Sequence, residues 1–194
     1  MVVIGLGGDK NYYLLDAIWD RLNLKERATA LFFLHRKWRP KKVGYEQYGM
    51  QADIEHIKSV QEEDNYRFQI IPLGGRLGNL DRIRRLIPIF AEQRFYLPRH
   101  LHKTLTDGSG VDLVERFITQ EYEPFPVGHA DLFDIMSRIL DEDMQTMWPQ
   151  DWHPYDGDQR YSEARAKRMM KRFACGRGDS CVSGKGLDFR TIHG

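Results

Sequence analysis

Hydrophobic and polar positions change their period several times along the chain. Residues 1–6 (MVVIGL) are an apolar, β-branched run that predicts a strand, and residues 12–15 (YYLL) predict a second. The turn-forming residues between them, Gly7-Gly8-Asp9-Lys10-Asn11, make the pair a hairpin. Asn23 caps a predicted helix over residues 24–38. Leu24, Ala28, Leu31, Phe32 and His35 recur there at three- and four-residue spacing until Pro40 stops it. Residues 42–46 read as a short strand. Residues 51–63 read as a helix with Ile54, Ile57 and Val60 on one side and acids on the other. Residues 67–72 (RFQIIP) predict a strand and residues 73–79 a Gly-rich loop. Residues 81–93 predict a helix kinked by Pro88, and Pro98 closes a short strand over 95–97.

Further on, Leu113, Val114, Phe117 and Ile118 stand at core spacing in a predicted helix over 111–122. Residues 124–128 (PFPVG) form a rigid lead-in to another helix over 129–143. Residues 144–159 are rich in Trp, Pro and Asp and read as irregular, and 161–173 as a basic helix. From Gly176 on, Gly, Ser and charge predict disorder. A hairpin followed by alternating helices and strands predicts an α/β fold. Its mixed sheet has an antiparallel hairpin and a parallel remainder, flanked by helices. The expected division is a domain over 1–145, an irregular segment and basic helix over 146–175, and a disordered tail over 176–194. A central strand rarely begins at a first residue, so the chain is expected to be the C-terminal part of something longer.

Composition removes several classes. The 194 residues suit one domain with some excess. With 41% hydrophobic, 12% aromatic and 29% charged residues, the chain is neither wholly disordered nor collagen-like. The longest apolar stretch, 28–34, is already broken by Thr29, far short of the roughly 20 residues of a membrane span. No basic region precedes an apolar core at the N-terminus, so no secretory signal is read. Two cysteines, Cys175 and Cys181, are too few for a disulfide scaffold and fit a reducing cytoplasm. With His193 they match no standard zinc spacing. Residues 178–185 (GDSCVSGK) depart from a phosphate-binding loop in spacing and in the residue after the lysine. The net charge of +1 hides an asymmetry: residues 160–194 hold nine Lys/Arg against three acids, leaving a mildly acidic body. A basic tail points to a polyanionic partner or to a solvated end.

Three groups of residues carry candidate chemistry. Glu46 ends the strand VGYE. A carboxylate there is either a salt-bridged acid or a ligand for metal or substrate, because ligands collect beyond the carboxyl ends of parallel strands. Asp131 and Asp134 are three residues apart and share a helix face. Together with Glu46 they form a set of carboxylates from different elements, as hard divalent ions require. A basic stretch runs from Arg76 through Arg82, Arg84, Arg85, Arg94 and Arg99 to Lys103. It suits phosphate contacts, or is an ordinary solvated face.

These residues resemble a known family: the C-terminal nuclease domain of the large terminase subunit of tailed bacteriophages, which packages viral DNA. The resemblance covers about residues 1–143. It rests on 11–17 (NYYLLDA), 43–49 (VGYEQYG), 81–88 (DRIRRLIP), 95–98 (FYLP), and Phe125-Pro126 running into 129–134 (HADLFD). It implies an RNase H-like fold truncated at the N-terminus. It also implies an endonuclease that hydrolyses phosphodiesters of concatemeric DNA with two Mg²⁺ or Mn²⁺ ions. Glu46 corresponds to the family's second acid. Ala130 replaces the first residue of its usual helix acid pair, Asp131 matches the second, and Asp134 matches an acid one turn on. Glu46 and Asp131 are therefore the expected metal ligands, with Asp134 supporting. The family's first acid lies on a strand upstream of Met1. That strand and the packaging ATPase domain are expected to be missing, as in a fragment, a split gene product or a prophage remnant.

The implied partners are double-stranded DNA, held by Arg76, Arg82 and Arg85, and the portal or capsid, the small terminase subunit or a separate ATPase chain. The implied location is the cytoplasm of a bacterial host, with no membrane contact. A second reading is a non-catalytic DNA- or capsid-docking module that uses Lys167, Arg168, Lys171 and Arg172. A third is another RNase H-like nuclease, such as a junction resolvase.

Overall fold

A computed structural model of the chain describes residues 1–47, 51–74, 77–149 and 189–191. The opening hairpin pairs β1 (Val2–Leu6) antiparallel with β2 (Tyr12–Ala17), with a register shift between Val3 and Ile4. A reciprocal capping box starts α1 (Leu24–Trp38). The Asn23 side chain accepts from the Glu26 N–H, and the Glu26 carboxylate accepts from the Asn23 N–H. The helix ends at Arg39, which takes the left-handed conformation (φ 46°) and donates its N–H to the His35 carbonyl. Next come β3 (Val43–Glu46), α2 (Gln51–Glu63) and β4 (Ile70–Leu73). They are followed by α3 (Asn79–Arg84), α4 (Ile87–Ala91), β5 (Phe95–Pro98), β6 (His102–Thr104) and β7 (Gly110–Asp112). The chain continues through α5 (Leu113–Phe117), a π-helical turn over Ile118–Tyr122 and α6 (Asp131–Ser137). Two 3-10 turns, Arg138–Leu140 and Glu142–Met144, follow, and β8 (Phe189–Thr191) comes last.

The architecture is α/β, with antiparallel and parallel strands flanked by helices. One sheet runs β1-β2-β5-β8, antiparallel at both ends and parallel between β2 and β5. The second sheet is β3 and β4 alone, parallel, and β6 with β7 forms a small hairpin. The described strands thus divide among three sheets, where the sequence predicts one. The larger core lies under the first sheet. Phe90 stacks on Phe95 at 4.9 Å, and Phe133 meets Phe90 and Phe117 edge-on at 5.5 and 5.4 Å. A smaller core of Leu31, Phe32, Val43 and Ile57 joins α1 and α2 to β3.

Four further differences have local causes. The helix predicted over 81–93 breaks between α3 and α4, because Pro88 lacks an N–H and fits the first turn of a new helix. The strand predicted over 67–72 starts at Ile70, where the apolar run begins. Residues 110–112 pair with 102–104 instead of opening the helix predicted over 111–122. Residues 189–191 form a strand where disorder is predicted. Residues 150–188, which hold the basic helix and most of the predicted tail, lie outside the described residues. Among those described, no helix is long and apolar enough to cross a membrane.

Asp16 is the ionic centre of the main sheet. Its side chain is 1% exposed on β2, and it pairs with Lys37 at 2.7 Å and Lys103 at 2.6 Å. The Trp38 indole N–H donates to it at 2.9 Å. It therefore ties β2 to the end of α1 and to β6. Burial alone would raise its pKa, but Lys103, Lys37 and Trp38 outweigh this and hold the carboxyl below its ordinary 3.8. Replacing Asp16 by Asn should cost about 2–3 kcal/mol at neutral pH, by leaving two lysines without their counter-ion. The folded pKa is the lower one, so the contribution is complete above the unfolded value of 3.8 and is lost as pH falls below it. Urea midpoints of wild type and Asp16→Asn should differ at pH 7 and converge toward pH 3.

Candidate functional site

The carboxyl ends of β3 and β4 lie side by side, with the Gln47 N–H donating to the Leu73 carbonyl at 2.9 Å. Glu46 therefore leaves the sheet at the place where α/β folds gather ligands. Gly44, two residues earlier, lets the body close on β3. A Cβ there would meet Leu73 Cδ1 at 2.6 Å and Met144 Sδ at 2.7 Å. The 3-10 turn holding Met144 is fixed to the same strand by Lys42, which donates to the Met144 and Gln145 carbonyls at 2.8 and 2.6 Å.

Helix α6 brings the second group of acids. Its N-cap, Ala130, offers no side-chain acceptor. The orphan N–H groups of Leu132 and Phe133 go instead to the two carboxylate oxygens of Glu121, at 3.0 and 2.7 Å. Glu121 is 2% exposed and reaches the helix from the π-helical turn. Its charge sits at the positive end of the helix dipole. Nothing in the sequence marks Glu121 as a cap, because it lies far from the helix start and reads as one acid among several on a helix.

From α6 and the turn after it, Asp134, Arg138 and Asp141 face Glu46 and α3. Arg138, only 11% exposed, donates to Glu46 Oε1 at 2.8 Å, to Asp141 Oδ2 at 3.1 Å and to the Gly74 carbonyl at 3.1 Å. Arg82 makes a bidentate pair with Asp134 at 2.9 and 2.8 Å. Arg85 pairs with Asp141 and donates to the Leu140 carbonyl at 3.2 Å. Three carboxylates and three guanidiniums thus form one network. Asp134 holds the Arg82 charge above its ordinary range, and Glu46 and Asp141 add to the effect. The Arg85 Nε is buried with no partner, the one such side-chain atom among the described residues.

Glu46, Asp134 and Arg138 border a largely apolar cavity of about 310 Å³. Its walls include Val3 and Ile4 of β1, Gly44 and Tyr45 of β3, and Leu31 of α1. Among the described residues β1 and β3 are each the last strand of their sheet, and both border the cavity.

The structure brings together Glu46 and Asp134 from the predicted set and adds Asp141, which reads in the sequence as an ordinary helix acid. Asp131 stays apart. It is exposed at the first turn of α6 and does not border the cavity. Its charge acts on Glu121 instead. Arg82 and Arg85, expected to face phosphates, are engaged with Asp134 and Asp141. Arg76, Lys167, Arg168, Lys171 and Arg172 lie outside the described residues. The donor chemistry of Glu46, Asp134 and Asp141 fits a hard divalent cation, which takes carboxylate oxygens. Each of the three already holds a guanidinium, so a cation would have to displace Arg138 from Glu46 or Arg82 from Asp134. Glu46, 52% exposed, is the easiest of the three to release. The chain matches no family model, no curated protein and no solved structure.

Glu121 positions all of this through α6. Burial pushes its carboxyl up although two backbone N–H groups oppose the shift. The folded chain therefore holds this proton more tightly than the unfolded one, and the term destabilises as pH rises above the ordinary 4.5. Replacing Glu121 by Ala should nevertheless cost about 3 kcal/mol at pH 7, because two buried N–H groups lose their acceptor. Chemical denaturation measures the loss, and amide exchange at Leu132 and Phe133 should quicken in the folded state.

Proposed function

We propose that the chain is the nuclease part of a phage DNA-packaging terminase, a Mg²⁺- or Mn²⁺-dependent endonuclease of RNase H-like fold. It would act on concatemeric double-stranded DNA in the cytoplasm of a bacterial host. Its partners would be the portal or capsid, the small terminase subunit or a separate ATPase chain. The observation that carries this reading is the meeting of Glu46 and Asp134, distant in sequence, at the carboxyl end of β3. The cavity beside them supports it too. The resemblance puts the family's first acid on a further strand at the sheet centre, and here β1 and β3 border an apolar space with Glu46 and Asp134 on its rim. The residues that would hold metal are Glu46 and Asp134, with Asp141 within reach through Arg138. A bound ion would supply an activated water for attack on phosphorus. Asp131, solvent-facing one turn before Asp134, would serve only after a rearrangement of α6.

A docking module is the second reading. The observation that favours it is charge compensation: each clustered acid already holds an arginine, as in a network that only braces the fold.

Plasmid cleavage by the purified chain with Mn²⁺, Mg²⁺ or EDTA separates the two. The nuclease reading expects metal-dependent nicking that is lost in Glu46→Ala and in Asp134→Ala, with DNA binding nearly intact and melting temperatures showing both variants folded. Cleavage that survives both substitutions removes the cluster from the reaction. A folded chain that never cuts, and whose DNA binding falls when Lys167, Arg168, Lys171 and Arg172 are neutralised, is the docking module.

A further inference from the structure

We propose that His100, His102 and Asp112 form a second metal site, on the β6–β7 hairpin, that takes a borderline transition-metal ion such as Zn²⁺. The register makes the site. His102 stands directly opposite Asp112 in the antiparallel pair, and cross-strand partners have neighbouring side chains. His100 lies two residues before His102, just ahead of β6, and its ring packs against that of His102. The two imidazole rings stack nearly parallel, 9° apart with centroids at 5.5 Å. His100 Nδ1 is 2.7 Å from Asp112 Oδ2. One ligand atom from each of the three residues falls within 4.8 Å of the others.

The carboxylate is prepared for the role. Asp112 is 8% exposed, and its Oδ1 accepts the N–H groups of Leu101 and Val114 at 2.9 and 3.0 Å. That fixes the side chain and leaves Oδ2 turned to the histidines, as backbone partners orient carboxylate ligands in known metal sites. The histidines are exposed, so an ion can reach them and their rings can turn. Tetrahedral bonds of about 2.0–2.2 Å place ligand atoms about 3.3–3.6 Å apart, so the cluster closes by about 1.5 Å at most on binding. Lys103, the residue between Thr104 and His102, is turned away to Asp16 and brings no opposing charge.

Two imidazoles and one carboxylate select Zn²⁺, Co²⁺ or Ni²⁺ over Mg²⁺, and three protein ligands leave a coordination position open for water or an anionic ligand. The site does not depend on the nuclease reading, since it uses neither Glu46 nor Asp134.

The test is a titration of the metal-stripped full chain with Co²⁺, followed by visible absorption, and with Zn²⁺ against a chromophoric chelator. The expected result is one equivalent bound, undisturbed by excess Mg²⁺, with affinity reduced at least tenfold in His100→Ala and in His102→Ala. Both positions are exposed, so these variants should melt as wild type does. Glu46→Gln and the double variant Cys175→Ser/Cys181→Ser should bind as wild type, which excludes the acidic cluster and the tail thiols as the source of the signal. Absence of saturable binding overturns the proposal, as does one-equivalent binding that persists in both histidine variants.

Discussion

Among the described residues β3 and β4 pair with no strand of the main sheet, and a set of arginines and carboxylates ties β3 to α3 and the end of α6, which pack on the main core. Arg138 is the hinge of that network. It takes Glu46 from β3, the Gly74 carbonyl from beyond β4, and Asp141 from its own turn. Arg82 and Arg85 then tie α3 to Asp134 and Asp141. Charge-assisted hydrogen bonds contribute about 1.5–3 kcal/mol each, and stranding one partner of a buried pair costs about 3–5 kcal/mol. Those magnitudes explain why the charges persist inside. They also set the terms for any ligand: a cation entering here competes with a guanidinium for both oxygens of Asp134 and of Asp141 and for Oε1 of Glu46. A network of equal and opposite charges has little net field, so the attraction for a divalent ion comes only as an arginine leaves.

The same constraint bears on the cavity. A strand edge offers alternating N–H and C=O groups that need partners from backbone, side chains or water. β1 and β3 both border the space, and their mutual distance is kept by helices α1 and α6 packed on its sides. Leu31 on one wall and Ile135 and Ile139 on another make it apolar across its width. Only at one end do Glu46, Asp134 and Arg138 turn it polar.

Much of the fold is legible where one signal dominates. The first hairpin, the boxed start of α1 and the short strands at Glu46 and Phe95 follow from apolar runs and turn or cap residues. The rest depends on information that a linear pattern lacks. His102–Thr104 and Gly110–Asp112 are three-residue strands with polar side chains, and only their mutual pairing makes them strands. α3 and α4 look continuous until Pro88 is read as a helix start rather than a kink. At the site, Glu46 and Asp134 were visible, because acids at a strand end and on a helix turn are scarce enough to notice. Asp141, Arg138 and Glu121 were not. Each is a charged residue in a helical stretch, and its role comes largely from a partner outside its own turn: Glu46 for Arg138, Arg85 for Asp141, and the Leu132 and Phe133 N–H groups for Glu121.

The two candidate sites differ in a way that ligand chemistry makes plain. Glu46, Asp134 and Asp141 offer oxygen alone, on elements brought together by tertiary packing, and their charge is already balanced. His100, His102 and Asp112 offer nitrogen and oxygen at one hairpin, with Asp112 locked by backbone N–H groups. Binding at the hairpin therefore requires ring rotation and a small closure of the ligand atoms, whereas full use of the cluster requires the guanidinium pairs of Asp134 and Asp141 to give. An ion at the hairpin would tighten β6 against β7, and Lys103 on β6 carries that order to Asp16 in the main sheet. An ion at the cluster would loosen Arg138 and with it the second sheet. An ion at the hairpin would thus leave the rest of the fold in place, whereas full use of the acidic cluster would not.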